Sequence, residues 1–247
     1  MNQSAQAHIS GNSSRAFQIR NFHSSIASAF KKRVIMATIY HLHPDTPQSR
    51  QVEKIRDALR GGAVMLYPTD TVYAIGCDLN AKSAVERVRQ IKQLSSDKPL
   101  TFLCSSLSNI SEYAQVSDSA YRLIKRLIPG PYTFLLPATK AVPRLVMNPK
   151  RKTTGIRVPE HVICQALLQS LGNPIISTSA TTAAQAEMRM AQFELFDELD
   201  KLVDIIIDDD RTPVGYQVST ILDLTEAEPQ VVRQGLGWEA IADWIEG

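Results

Sequence analysis

Nothing in this sequence approaches the roughly 18 consecutive apolar residues that a membrane-spanning helix needs, so a soluble chain without membrane partners is expected. Cysteine is scarce and odd in number. Cys77, Cys104 and Cys164 stand far apart in apolar settings, with no C-x-x-C pair and no His/Cys spacing suited to zinc. A disulfide scaffold and a zinc module are thereby excluded, and buried free thiols in a reducing, cytoplasmic compartment are expected. The glycines form neither G-x-x-x-x-G-K-[ST] nor G-x-G-x-x-G, so any nucleotide site must be of another type. The five histidines give no triad and no metal-ligand spacing: His8 and His23 precede the body, His41 and His43 precede the first helix, and His161 starts a later one. No residue is assigned to a metal. Internal repeats and low-complexity linkers are missing from residues 37–247.

Acid is absent from two stretches. Residues 1–36 hold five of the 27 Lys and Arg, seven serines and no carboxylate. This composition admits an organelle transit peptide, a disordered tail, or an extension upstream of a natural start at Met36, and the segment is set apart from the fold. The body that remains, 37–247, carries 22 basic against 25 acidic residues. The second stretch is Tyr121 to Pro159, with nine Lys or Arg and no Asp or Glu. A mildly acidic body with one basic block suits a local anion site better than a general coating of nucleic acid. The block ends in Lys150-Arg-Lys-Thr-Thr-Gly-Ile-Arg-Val-Pro159, which sets Arg157 inside a short β-type run. A guanidinium on an ordered strand grips a carboxylate or phosphate through two parallel hydrogen bonds; the plainer reading is a solvated basic loop beside an edge strand.

Apolar residues make up 44% of the chain, enough for a packed core. Val52, Ile55 and Leu59 fall on one helix face between Gln48 and Gly61-Gly62. Ala63–Tyr67 is a buried-type strand, and Pro68-Thr-Asp-Thr71 turns the chain out of it. Asn80 is placed to cap a helix carrying Val85, Val88 and Ile91; Leu100–Cys104 is a strand; Ser117 caps a helix stopped by Pro129-Gly-Pro131. Further strands are expected at Tyr132–Leu136, Pro174–Thr178, Ile205–Ile207, Val218–Leu224 and Gln230–Arg233. Helices are expected at Val162–Leu171 (closed by Gly172), within Glu194–Asp210, and at Trp238–Ile245. Alternating short strands and helices predict a single α/β domain with a twisted mixed sheet.

Polar residues recur where apolar strands end: Thr69 and Thr71, Lys92 with Lys98, Thr153 to Arg157, Ser177 and Ser179, and Ser219 with Arg233. Loops at strand ends are where open α/β sheets place ligands, and cations with hydroxyls suit phosphate. Taken singly, each has a plain structural use as a turn hydroxyl, a solvated lysine or a helix cap.

Their order along the chain resembles the YrdC-like family, whose best-known members are threonylcarbamoyl-adenylate synthases. The likeness runs from about Asp57 to Gly235 and rests on Tyr-Pro-Thr-Asp-Thr-Val-Tyr-Ala-Ile-Gly-Cys (67–77), Ile91-Lys92 with Lys98-Pro99-Leu100, and Pro129-Gly-Pro-Tyr-Thr-Phe134. It continues through Gly155-Ile-Arg-Val-Pro159, Pro174-Ile-Ile-Ser-Thr-Ser-Ala180, Val203-Asp-Ile-Ile-Ile-Asp208, Ser219-Thr220 and Val232-Arg-Gln-Gly235. The resemblance implies a sheet folded around a large basic concave cavity. It also implies that threonine, bicarbonate or carbon dioxide, and ATP give threonylcarbamoyl-AMP and pyrophosphate, for N6-threonylcarbamoylation of adenosine 37 in tRNA. By family position Lys92, Arg157 and Ser179 would be the catalytic group, with Lys92 on the triphosphate and Arg157 on the threonine carboxylate. Thr69 would contact threonine, while Thr153, Ser179, Ser219 and Arg233 would line the nucleotide; Thr71, Lys98 and Ser177 complete the binding set. Mg²⁺ would bridge the phosphates.

The departures are as specific as the matches. The synthases carry Lys-x-Arg and Ser-x-Asn; here these positions read Lys92-Gln93-Leu94 and Ser179-Ala180-Thr181. The proline after that arginine is Ser95, a frequent histidine is Leu103, and Arg-Pro-Gly is Arg233-Gln234-Gly235. These features look like the YciO branch, whose members need not share full synthase activity. Two functions stay open: a YciO-like synthase of reduced activity, and a protein that binds double-stranded RNA, tRNA or a nucleotide without turnover.

Overall fold

In a computed structural model the described residues are 36–95, 98–180, 191–211 and 217–243. They form one ten-stranded mixed sheet in the order β1-β8-β2-β3-β7-β4-β6-β5-β9-β10. The strands are β1 (Thr38–His41), β2 (Val64–Tyr67), β3 (Ala74–Asp78), β4 (Thr101–Leu103), β5 (Tyr132–Pro137), β6 (Thr153–Arg157), β7 (Ile175–Ser179), β8 (Ile205–Asp208), β9 (Thr220–Asp223) and β10 (Gln230–Arg233). The helices are α1 (Ser49–Arg60), α2 (Lys82–Ile91), α3 (Leu107–Tyr113), α4 (Asp118–Leu127), α5 (Val162–Leu171) and α6 (Gln192–Leu199). None of them is long and apolar enough to cross a membrane.

Strand alternation sorts the core onto two faces. On β2, Val64 and Leu66 join a core that includes α2, α3, α4 and α6, whereas Met65 and Tyr67 join one that includes α1 and α5. The second core covers its face only over the β1–β4 part of the sheet, through Ile205, Ile207, Met65, Tyr67, Ala74, Ile175 and Leu103. Toward β10 the same face continues with no helix on it among the described residues, and that stretch becomes the floor of the site.

Local chemistry explains the helix ends. The Ser117 hydroxyl accepts from the Ala120 N–H at 3.2 Å, as its cap position requires, and Gly172 ends α5 in the left-handed region at φ 78°. Asn80 does not cap α2: its own N–H donates to Asp78 Oδ1, and the cap position is Ala81. Three elements went unforeseen, namely β1, β3 and α3. The terminal helix expected from Trp238 opens as a 3₁₀ turn, Trp238–Ala240, and its last two residues lie outside the described range. All three cysteines are free and buried. Burial pushes Cys77 and Cys104 up to about 12, which leaves them unionised at neutral pH.

Candidate functional site

The bare face carries a cavity of about 870 Å³. Register shows why its floor is polar. Thr101 and Leu103 on β4 lie beside Gly155 and Arg157 on β6; Thr101 also faces Ser177 on β7, Leu135 on β5 faces Gly155, and Thr133 faces Ile221 on β9. Cross-strand neighbours share a face, so hydroxyls, a glycine and a guanidinium form one surface. The lining includes Thr69, Thr71, Lys92, Lys98, Arg157, Ser177, Ser179, Ser219 and Arg233. Nine of the ten site residues expected from sequence therefore meet in one recess. Thr153 does not line it: two residues short of Gly155 on the same face, it is bridged to Asn148 and paired with Pro137, and stays buried beyond the edge. Thr181 lies outside the described residues.

Among the described residues four cations line the cavity, from the end of α2 and the loop after it, β6 and β10, and no carboxylate does. Only Arg157 belongs to the basic block of 121–159. The other eight, Arg122, Lys125, Arg126, Lys140, Arg144, Lys150, Arg151 and Lys152, are exposed to solvent, and Arg151 pairs with Asp223 at 2.6 Å. The block as a whole is thus surface, and the cavity draws three of its charges from elsewhere.

Lys92, Arg157 and Arg233 are each held by hydrogen bonds. Lys92 leaves the C-terminal end of α2, where an ammonium meets the negative end of the helix dipole, and its Nζ donates to Ala180 O at 2.6 Å. Burial holds its pKa below the usual lysine value, partly offset by Glu198 and reinforced by Lys98. Gln93 then turns left-handed at φ 48°, and the Leu94 N–H returns to Arg89 O, which brings Leu94 into the lining. Arg89 ties down the following loop by donating to Ser95 O, Lys98 O and Leu145 O.

Arg157 donates from Nη1 to Thr71 Oγ1 at 2.9 Å and from Nη2 to Asp70 Oδ1 at 2.6 Å, both side chains being about one-tenth exposed. Its Nε is buried without a partner. Thr69 donates to Val72 O and accepts from the Thr71 N–H, so the turn that presents both threonines is internally fixed. Arg233 turns its head onto Ser219, donating to the carbonyl from Nε and Nη2 at 3.0 and 2.8 Å, while much of the residue stays exposed. Partial burial of that head, and then the like charge of Arg157, hold its pKa below the usual arginine value. Ser219 Oγ also pairs with Thr133 Oγ1 at 2.8 Å, and Ser177 Oγ with Tyr67 OH at 2.6 Å. Asp70, Tyr67, Thr101 and Thr133 are participants that motif reading passed over; period-2 alternation on β4 and β5 was the available signal for the two threonines.

Fold and site together define an α/β protein with a cation-lined recess. The Sua5/YciO/YrdC family, described as telomere recombination, matches residues 57–235. The chain is 42% identical over 202 residues to the uncharacterized protein YciO of Escherichia coli K12, across 82% of this chain and 97% of YciO. The E. coli YciO crystal structure superposes with a TM-score of 0.74. A threonylcarbamoyl-AMP synthase of Vibrio vulnificus YJ016 is 31% identical over 159 residues, 63% of this chain and 84% of that enzyme. Sua5 of Pyrococcus abyssi, crystallised in complex with L-threonine, gives a TM-score of 0.74 at 27% identity over 85% of this chain and 61% of Sua5. This chain belongs to the Sua5/YciO/YrdC family. The family includes enzymes named threonylcarbamoyl-AMP synthase.

Proposed function

We propose that this protein is a YciO-type threonylcarbamoyl-AMP synthase, using threonine, bicarbonate or carbon dioxide, and ATP. The observation that carries the reading is the convergence of Lys92, Lys98, Arg157 and Arg233 on one recess whose lining, among the described residues, has no carboxylate. A threonine carbamate oxygen attacks the α-phosphorus of ATP, the bond to the β-phosphate oxygen breaks, and pyrophosphate leaves. Such a step gains most from positioning and from neutralising phosphate charge, which is what cations and hydroxyls supply. Arg157 takes the threonine carboxylate, Lys92 and Lys98 the triphosphate, and Ser219 with Arg233 the nucleotide. Among the described residues the lining includes no Asp, Glu or His; a magnesium ion accompanying ATP would supply charge neutralisation at the triphosphate beside Lys92 and Lys98. The test is labelled bicarbonate with threonine and ATP, scored for threonylcarbamoyl-AMP. Label incorporated above an Arg157→Ala control is expected; no product above that control refutes the activity.

Two observations favour a second reading, binding of double-stranded RNA or tRNA without turnover. Leu94 lines the cavity where the synthases carry a cation, and eight cations of the 121–159 block face solvent. RNA affinity should then fall linearly with the logarithm of salt concentration, and a flat response rejects it.

A further inference from the structure

We infer that Asp70 makes the Arg157 subsite select an amino acid over a phosphate; the inference rests on the reading that threonine binds at Arg157. Asp70 is a specificity and positioning residue that acts through the guanidinium and does not itself line the cavity. Its two oxygens have separate duties. Oδ1 accepts from Arg157 Nη2 at 2.6 Å, and Oδ2 accepts from the Glu160 N–H at 3.1 Å, which ties the carboxylate to the segment just after β6. Thr71 holds the other terminal nitrogen, so the guanidinium plane is fixed from two sides before any ligand arrives.

The pair also sets the charge a ligand meets. Arg157 and Asp70 are both nearly buried, and together they carry no net charge. The desolvation of an incoming anion grows with the square of its charge, whereas its attraction to a fixed field grows only in proportion. A neutral pair therefore accepts a zwitterionic amino acid, whose carboxylate meets the guanidinium and whose net charge is zero, and disfavours a phosphate dianion. Among the described residues Lys98 and Arg233 form no ion pair with a carboxylate, and Glu198 offsets Lys92 only in part, so the three offer the triphosphate a positive region. The cavity is thus divided, with one cation neutralised in a buried ion pair for the acid and a net positive group for the nucleotide. The division explains how a single recess avoids filling its amino-acid position with phosphate.

The experiment is calorimetric titration of the full chain with L-threonine, alone and against inorganic phosphate, in wild type, Asp70→Asn and Asp70→Glu. Wild type should bind threonine with no competition from phosphate. Asp70→Asn should bind threonine about tenfold more weakly and become competitively inhibited by phosphate, because a buried charge pair has lost one member. Asp70→Glu should restore discrimination, which a purely structural defect would not do. Phosphate that displaces threonine from wild type overturns the inference without any variant. So does a folded Asp70→Asn chain with unchanged discrimination, or a wild type that binds no threonine. If threonine binds selectively and no threonylcarbamoyl-AMP forms, the synthase reading falls and this one stands.

Discussion

Leu94→Arg should raise synthase activity, and the gain can be bounded. Leu94 is half-buried, lines the cavity and follows the left-handed turn at Gln93 that ends α2. An arginine stem can cover the same apolar surface while its head enters the recess beside Lys92 and Lys98. One donor aimed at a developing phosphate charge contributes about 3–4 kcal/mol, equivalent to about 10²–10³ in rate. Against this stands repulsion in the free protein: a second cation at about 7 Å costs about 2 kcal/mol at an effective dielectric of 20, before solvent screening reduces it. The empty variant should therefore melt a few degrees lower than wild type, and saturating ATP should remove that difference, since the triphosphate consumes the excess charge. The net expectation is a rise of about tenfold to 10²-fold in kcat, read as labelled bicarbonate incorporated into threonylcarbamoyl-AMP. A folded variant with wild-type kcat and a melting deficit that ATP does not repair would refute the view that Leu94 stands at a phosphate-facing position.

Other perturbations test the remaining parts of the site. Arg157→Ala leaves the Asp70 carboxylate buried and unpaired, which costs about 3–5 kcal/mol, or roughly 6–20 °C in Tm for a domain of this size. Adding Asp70→Ala should return more than half of that loss without restoring activity; a double variant no more stable than the single one contradicts the pairing. At Gly235 a Cβ would lie 2.3 Å from Val218 O and 2.6 Å from Ser219 C, so Gly235→Ala must displace the backbone that holds Arg233. It should cost at least about 2 kcal/mol and weaken binding of a fluorescent ATP analogue, and an unchanged melt argues against that close approach. His161 has its pKa lowered by burial, against the opposing pull of Asp209 and Asp70. The unfolded chain then binds a proton that the folded chain resists as pH falls through about 6.5, so stability drops in that window. His161→Gln should flatten the loss between pH 7 and pH 5, and an equally steep fall in the variant assigns it elsewhere.

Where the sequence spoke clearly, a single physical cause sufficed. Ser117, Gly172 and the apolar faces of α1 and α5 mark their helices because capping and amphipathic burial act within a few residues. The unforeseen elements lack such local causes. β3 carries Gly76 in its middle, a residue that weakens strand signals, yet a Cβ there would lie 2.8 Å from Ile176 O and 2.9 Å from Tyr67 Cε1. Close packing against β7 dictates the glycine, and that packing partner is a hundred residues away in the chain. α3 is seven residues rich in Ser and Asn, weak helix formers, and is kept by burial of Ile110 and Tyr113. Asn80 was a sound cap by type, but α2 begins at Lys82, which puts Ala81 and not Asn80 at the cap position.

The site shows the same division more sharply. Charge counted along the chain picked out 121–159, yet eight of its nine cations face water, because helix and loop surfaces need solvated charge whatever the function. Charge counted by strand register picks out a different set. Arg157 reaches the cavity floor because it is two residues from Gly155 and opposite Leu103; Arg233 reaches it because its head closes on Ser219 two strands away from β6. Lys92 and Lys98 arrive from a helix end and a loop that Arg89 staples down. A linear window cannot weigh these four against the eight, since what separates them is the face each occupies. Ordered motifs succeeded because each cation is tied to a hydroxyl or a turn in its own block, and those ties survive in the chain as short, recognisable words. Asp70 lay inside one such word from the start, between two threonines credited with binding; only its contact with a guanidinium 87 residues on distinguishes it from a turn former.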